Sequence, residues 1–120
     1  MLIKHSLSFE EAGAILAAGL RAAESVRPLS IAVVDESGVL IAFGRMDGAK
    51  GYTVELAIQK ARGSAIVGVA SSLLSKAGAS SGGAGGLPVI HDGQCIGAIG
   101  VSGAGEDEDV AVAQEAISET

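Results

Sequence analysis

A glycine-rich hairpin close to the C-terminal end is the feature that most constrains the fold of this chain. Residues 85–103 read GGLPVIHDGQCIGAIGVSG. The dipeptide Asp92-Gly93 is typical of a tight turn, because both residues tolerate the positive φ angles that a two-residue hairpin loop requires. The apolar run 88–90 before it and the run 94–101 after it are therefore predicted to pair as strands.

The glycines of the return strand indicate close packing on both of its faces. Gly97, Gly100 and Gly103 recur every third residue, whereas side chains alternate between the two faces of a strand with a period of two. A strand that lacks side chains on both faces lets another element approach its backbone. Three kinds of partner fit this pattern: a helix, a neighbouring subunit or a flat ligand. Tight packing of a helix on the sheet, with no further role for the glycines, explains the pattern equally well.

Composition narrows the class of protein. The chain has 120 residues, of which 48% are hydrophobic and 18% charged, which predicts one globular domain over residues 1–120. A net charge of −6 and only 2% aromatic residues argue against a nucleic-acid partner, since phosphate binding needs clustered Lys and Arg. A single cysteine, together with no recognisable signal peptide or membrane-spanning stretch, predicts a cytoplasmic protein without membrane contact.

Periodicity and capping signals give the order of the elements. Ser8 and Glu11 form a capping box at the start of the first helix, and Thr53 is the predicted N-cap of the second. Asp35 is predicted to form a turn through backbone hydrogen bonds rather than to act in catalysis. The predicted elements are helix 8–26, strands 30–34 and 39–46, helix 53–67, a short helix 69–76, strands 88–90 and 94–101, and helix 106–118.

These elements predict an α/β fold. The first strand is apolar on both faces and is expected in the centre of the sheet, covered on each side. The order helix, hairpin, helix, hairpin, helix predicts a mostly antiparallel sheet made from two hairpins, with helices on both faces (an α+β sandwich). The Gly-, Ser- and Ala-rich stretch 77–86 predicts a mobile loop.

Three charged residues are the candidates for catalysis. Arg45 and Asp47 end the second strand, and Lys60 follows on a polar edge of the second helix with Thr53 and Ser64. A short connection is expected to bring Lys60, Asp47 and Arg45 to one pocket for a small anionic ligand, with Asp47 orienting Arg45 or moving a proton. The alternative is a structural Arg45–Asp47 pair with Lys60 in solvent.

The candidate metal ligands are few. The chain has two histidines, His5 and His91, and one cysteine, Cys95. Their separation in sequence matches no zinc motif. His5 and His91 remain the candidate ligands, and an exposed turn residue is the alternative role for His91. Cys95 lies in an apolar strand, which predicts an inert thiol.

Several motifs in order resemble one known family. They are the hairpin at 85–103, IAVVDESG at 31–38, RMDGA at 45–49 and AIQKAR at 57–62. Together they resemble the GlcG and HbpS-like haem-binding and haem-degrading family, which also includes the C-terminal domain of PduO. The resemblance extends over nearly the whole chain.

The resemblance implies further expectations. It implies a GlcG-like architecture related to profilin-like sandwiches, a homo-oligomer, and haem as a possible cofactor. The predicted cofactor-binding residues are His5, Thr53, Lys60, Gly86 and Gly100. Three functions stay open at this point: binding or degradation of haem or a related tetrapyrrole, a small-molecule catabolic enzyme that uses the Lys60 pocket, and a non-catalytic accessory subunit.

Overall fold

The computed structural model describes Met1 and residues 3–118. Its strands pair antiparallel in one sheet of order β2-β1-β4-β3, so β1 lies inside the sheet as predicted. No helix in the described part of the chain is both long enough and apolar enough to span a membrane. The elements are α1 (Phe9–Ala23), β1 (Ser30–Asp35), β2 (Leu40–Arg45), α2 (Tyr52–Val67), α3 (Ser71–Lys76), β3 (Gly86–His91), β4 (Gln94–Ser102) and α4 (Glu106–Ser118).

Helices cover both faces of the sheet, which confirms the predicted sandwich. Alternate residues of β1 point to opposite sides, so that Ile31 and Val33 enter one hydrophobic cluster and Ala32 and Val34 enter another. The first cluster includes residues of α1 and α4, and the second includes the alanines of α2. The small residues of the second cluster place α2 close to the sheet.

Two local signals in the sequence act as predicted. Ser8 caps α1: its Oγ accepts a hydrogen bond from the Glu11 backbone N–H, while the Glu11 carboxylate accepts one from the Ser8 backbone N–H. The Asp35 carboxylate accepts hydrogen bonds from the backbone N–H groups of Ser37 and Val39. Asp35 therefore stabilises the turn between β1 and β2.

The predicted N-cap of α2 is wrong. The helix begins at Tyr52 after Gly51, and no side chain caps it. Thr53 is fully buried instead. Its hydroxyl donates to the Lys50 carbonyl oxygen over 2.6 Å and lies 2.8 Å from the Ser30 hydroxyl. Thr53 thus joins the first turn of α2 to β1.

The loop before β3 is packed at its C-terminal end, in contrast to the prediction of a mobile segment. Ser81 and residues 84–86 are buried. The Ser71 hydroxyl donates to the Gly83 carbonyl oxygen over 2.6 Å and accepts from the Gly86 N–H over 2.8 Å. The composition of 77–86 predicted mobility because the residue that holds the loop, Ser71, belongs to α3 and not to the loop itself.

Candidate functional site

Lys60 lies in the interior, so the alternative of a lysine in solvent is wrong. The residue is 4% exposed, and its Nζ is 3.3 Å from Asp109 Oδ2. The same nitrogen donates to the Val101 carbonyl oxygen over 2.8 Å. Gly85 provides the space, because a Cβ at that position would lie 3.1 Å from the Lys60 Nζ. Lys60 therefore links α2 to β4 and α4.

The structure does not bring Lys60 to Arg45 and Asp47. Both of these residues are exposed, at and just beyond the end of β2. None of these three residues lines the cavities beside the second hairpin or between α2 and α3. The catalytic roles of Lys60, Asp47 and Arg45 stay predictions without a common pocket.

Asp109 is a buried carboxyl group with two kinds of partner. Its Oδ1 accepts a hydrogen bond from the Ala104 N–H over 3.0 Å, and its Oδ2 faces Lys60. Burial raises the pKa of Asp109 above its ordinary value, because an ionised carboxylate loses hydration in the interior. The Ala104 amide and the Lys60 charge oppose this rise in pKa without cancelling it.

The raised pKa of Asp109 predicts a pH dependence of stability. The native protein retains this proton at pH values where the unfolded chain has lost it, so the native state binds more protons. We expect the free energy of unfolding to fall, relative to Asp109→Asn, as the pH rises from the ordinary pKa of 3.8 through the raised value. Urea unfolding of both proteins from about pH 3 to about pH 7 measures the difference. A difference that rises with pH would contradict the assigned direction.

The predicted cofactor-binding glycines pack against α2. A Cβ at Gly100 would lie 2.6 Å from the Ala61 backbone nitrogen, and one at Gly86 would lie 2.8 Å from the Ser64 hydroxyl oxygen. Both glycines therefore let α2 pack closely against the sheet. Gly86, Gly100, Thr53 and Lys60 all lie in the packed interior beneath α2, and their role in cofactor binding stays a prediction.

The two histidines, by contrast, meet at the tip of the second hairpin. Their ring centroids are 6.0 Å apart, and the ring planes form an angle of 72°. The turn has the predicted geometry, with φ angles of 49° at Asp92 and 76° at Gly93, and His91 pairs with Gln94 across it. The His91 side chain is 60% exposed. Both candidate metal ligands thus share one accessible site.

A bulge in β4 positions the N-terminal segment that carries His5. Val89 pairs with Gly97 and Ile90 with Cys95, so Ile96 is an extra residue in the return strand. The carbonyl oxygen of Ile96 accepts a hydrogen bond from the Leu7 N–H over 2.9 Å. This contact holds the chain just after His5 against the hairpin.

A groove of about 310 Å³ opens beside the histidine pair. We call it the tip groove. Most of its lining side chains are apolar, and Glu11 is the acidic exception. The hydrogen bond with the Ser8 backbone, followed by the one with the Ser8 side chain, holds the pKa of Glu11 below its ordinary value. The charge of His91 also lowers this pKa. The lining residues are Leu7, Glu11, Ala14, Val89, Ile90, His91 and Ile96.

A smaller cavity of about 260 Å³ contains the other titratable groups near the tip. Lys4, His5, Glu36, Gln94 and Cys95 line it. One carboxylate oxygen of Glu36 is buried without a hydrogen-bond partner within the described residues. No cluster of three potential metal ligands occurs in the described part of the chain.

The sequence predicted the histidines separately but missed the groove beside His91. Leu7 carried a usable signal, because an apolar residue directly before a capping box often fixes the entry angle of the chain. The bulge at Ile96 had no such signal. An extra residue in a strand is visible only once both partners of the pairing are known.

Comparisons with known proteins agree on one family. A family model described as "Haem degrading protein HbpS-like" matches residues 7–118. Protein GlcG of Escherichia coli K12 is 36% identical, and the match covers 85% of each chain. The crystal structure of HbpS is similar with a TM-score of 0.90 and 32% identity, over 99% of this chain and 93% of that one. The crystal structure of a PduOC–haem complex gives 0.86 and 28%, over 96% and 95%.

Proposed function

Because the chain belongs to the HbpS-like haem-degrading family, we propose that it binds haem at the tip groove, with His5 and His91 as the source of the iron ligand. The observation that carries the proposal is the meeting of both histidines beside a groove lined mainly by apolar side chains. Imidazole nitrogen is a common axial ligand of haem iron. The site combines that ligand with a surface suited to an apolar macrocycle.

The separation of the rings fits coordination of a metal ion. A bond between a metal and an imidazole nitrogen is about 2.0–2.1 Å long, so both rings would lie within reach of one bound ion. The His5 and His91 centroids are 6.0 Å apart. Asp92 Oδ2 lies 3.5 Å from His91 Nε2. A carboxylate at one ring nitrogen helps to orient the imidazole and raises the basicity of the other nitrogen.

The surroundings of the histidines suit the rest of the cofactor. Leu7, Val89 and Ile96 offer apolar surface to the macrocycle, since buried apolar area supplies most of the affinity in such sites. Lys4 lies in the adjoining cavity with His5 and can pair with a propionate. Bound haem supplies an iron centre, and the protein residues hold it and restrict the access of water.

Two properties of the relatives support the proposal. The PduOC structure is a complex with haem, and the matching family model is named for haem degradation. A homo-oligomer is part of the proposal, because Phe9, Tyr52 and Ile90 are large apolar side chains that remain more than half exposed in the single chain. Such surfaces often contact another subunit.

Titration with hemin tests the proposal. We expect the wild-type protein to shift the Soret band with saturable, stoichiometric binding, because an imidazole enters the coordination sphere of the iron. His5→Ala and His91→Ala should each weaken binding by about tenfold or more. The double variant should lose the spectral signature of imidazole ligation.

Gln114→Ala serves as the control, because Gln114 is exposed on α4 and lines neither cavity near the histidines. We expect it to bind hemin like the wild type. Circular dichroism should show all four variants folded like the wild type, since both histidines are on the surface. An unchanged Soret shift in the double variant would refute the histidine assignment.

A further inference from the structure

We propose that a third cavity, between α2 and α3, binds a small aliphatic carboxylate. The cavity has a volume of about 290 Å³, close to the lower limit of about 300 Å³ for typical ligand sites. It lies on the α2 side of the sheet, whereas α1 and the tip groove belong to the other side. The proposal therefore does not rest on haem binding.

The walls of the cavity are apolar and accessible. Ile66 and Val67, in the last turn of α2, are 62% and 57% exposed, and Leu74 of α3 faces them across the cavity. Ala79 adds a wall from the following loop. A hydrocarbon chain placed between these side chains would remove apolar surface from water on both sides.

Gly63 keeps the cavity open at its base. A Cβ at this position would lie 3.2 Å from Leu74 Cδ1 and 3.6 Å from Ser81 Cβ. Glycine in the interior of a helix is disfavoured relative to alanine, and here it leaves the space between α2 and α3 free of a side chain. Gln59 Nε2 donates to the Ser80 carbonyl oxygen over 3.0 Å, which holds the loop wall to α2.

Arg62 gives the cavity its charge preference. Its Nε donates to the Gly38 carbonyl oxygen over 3.4 Å, while its two terminal nitrogens have no partner among the described residues. It is the one charged residue among those that line the cavity, although the whole chain carries a net charge of −6. A cation beside an apolar cavity favours an anionic ligand there.

A carboxylate fits this site better than a phosphate. The terminal nitrogens of one guanidinium group match the two oxygens of a carboxylate in a bidentate pair. A phosphate has more oxygens and more charge to satisfy, and the remaining polar side chains of the lining, Gln59, Ser80 and Ser81, are uncharged. Binding of the carboxylate at Arg62 directs its aliphatic chain towards Ile66 and Leu74.

The test is a titration of the ¹⁵N-labelled protein with octanoate, with octanol as the uncharged ligand of equal chain length. We expect saturable shifts of amides in 59–67 and 74–81, and affinity for octanol about tenfold weaker. Arg62→Gln should reduce the affinity for octanoate to that for octanol. Arg27→Gln, which changes an exposed arginine outside the cavity, should leave both affinities unchanged.

Three results would overturn the proposal. Equal binding of octanol and octanoate by the wild type would remove the role of Arg62. Shifts confined to other parts of the protein would remove the cavity. The third result combines three observations: no amide shifts, a multiple of the 11.8 kDa mass in light scattering, and protection of 59–67 on association. It would make this surface an interface between copies of the chain.

Discussion

Gly100→Ala is expected to lower the free energy of unfolding by about 3 kcal/mol, the upper part of the usual range for overpacking a core. The added Cβ would meet the Ala57 carbonyl oxygen and lie 2.6 Å from the Ala61 backbone nitrogen. These are backbone atoms of α2, so no side-chain rotation can relieve the contact. The helix has to move away from the sheet and weaken the cluster of Ala32, Ala57 and Ala98.

Gly13→Ala is the matched control for this prediction. Gly13 lies inside α1, and nothing lies within 4 Å of the Cβ that alanine would add. Alanine should stabilise the protein there by about 0.5–1 kcal/mol, because it is the better helix former. Urea denaturation of the three proteins gives the comparison. Equal effects of the two substitutions would show that close approach of α2 does not explain Gly100.

Asp109→Asn has the largest expected effect among the charged residues, a loss of about 3–5 kcal/mol in the free energy of unfolding. When the asparagine Oδ1 accepts the hydrogen bond from the Ala104 N–H, its amide NH2 group occupies the place of Oδ2 and faces Lys60. Two hydrogen-bond donors then meet in the interior, and the Val101 carbonyl oxygen is the remaining acceptor for Lys60. This buried donor–donor contact is the physical reason for the loss, and it does not depend on the protonation of Asp109.

Lys60→Met completes a double-mutant cycle. Methionine approximates the stem of lysine without the charge, so we expect the Lys60→Met, Asp109→Asn double variant to be more stable than Asp109→Asn alone. Asp107→Asn, which changes an exposed carboxylate on the same turn of α4, should change stability by less than about 0.5 kcal/mol. Strictly additive losses at 60 and 109 would show that the two charges do not interact.

Local signals were sufficient to predict most of the fold. The capping box at Ser8, the Asp35 turn and the Asp92-Gly93 turn each depend on residues close in sequence, and each is present in the structure. The spacing of Gly97 and Gly100 also predicted close packing on both faces of β4. Leu7 packs at Gly97 from one side and Ala61 at Gly100 from the other.

Partners distant in sequence could not be predicted from those signals. Lys60 looked like one member of a polar helix edge, because Asp109 is separated from it by 49 residues. Four consecutive acidic residues begin α4, and only the fold shows that Asp109 is the one that points inwards. Thr53 likewise looked like a helix cap until its contact with Ser30 of β1 was known.

The buried pair of Lys60 and Asp109 also restricts how this sequence can change over evolutionary time. A single substitution at either position leaves an unpaired group in the interior, whereas a joint replacement by apolar residues would be tolerated far better. A lineage that changes one position at a time must therefore pass through a poorly folded protein on the way from the charged pair to the apolar pair. In divergent descendants of this chain, positions 60 and 109 should therefore either both stay charged or both lose their charge together.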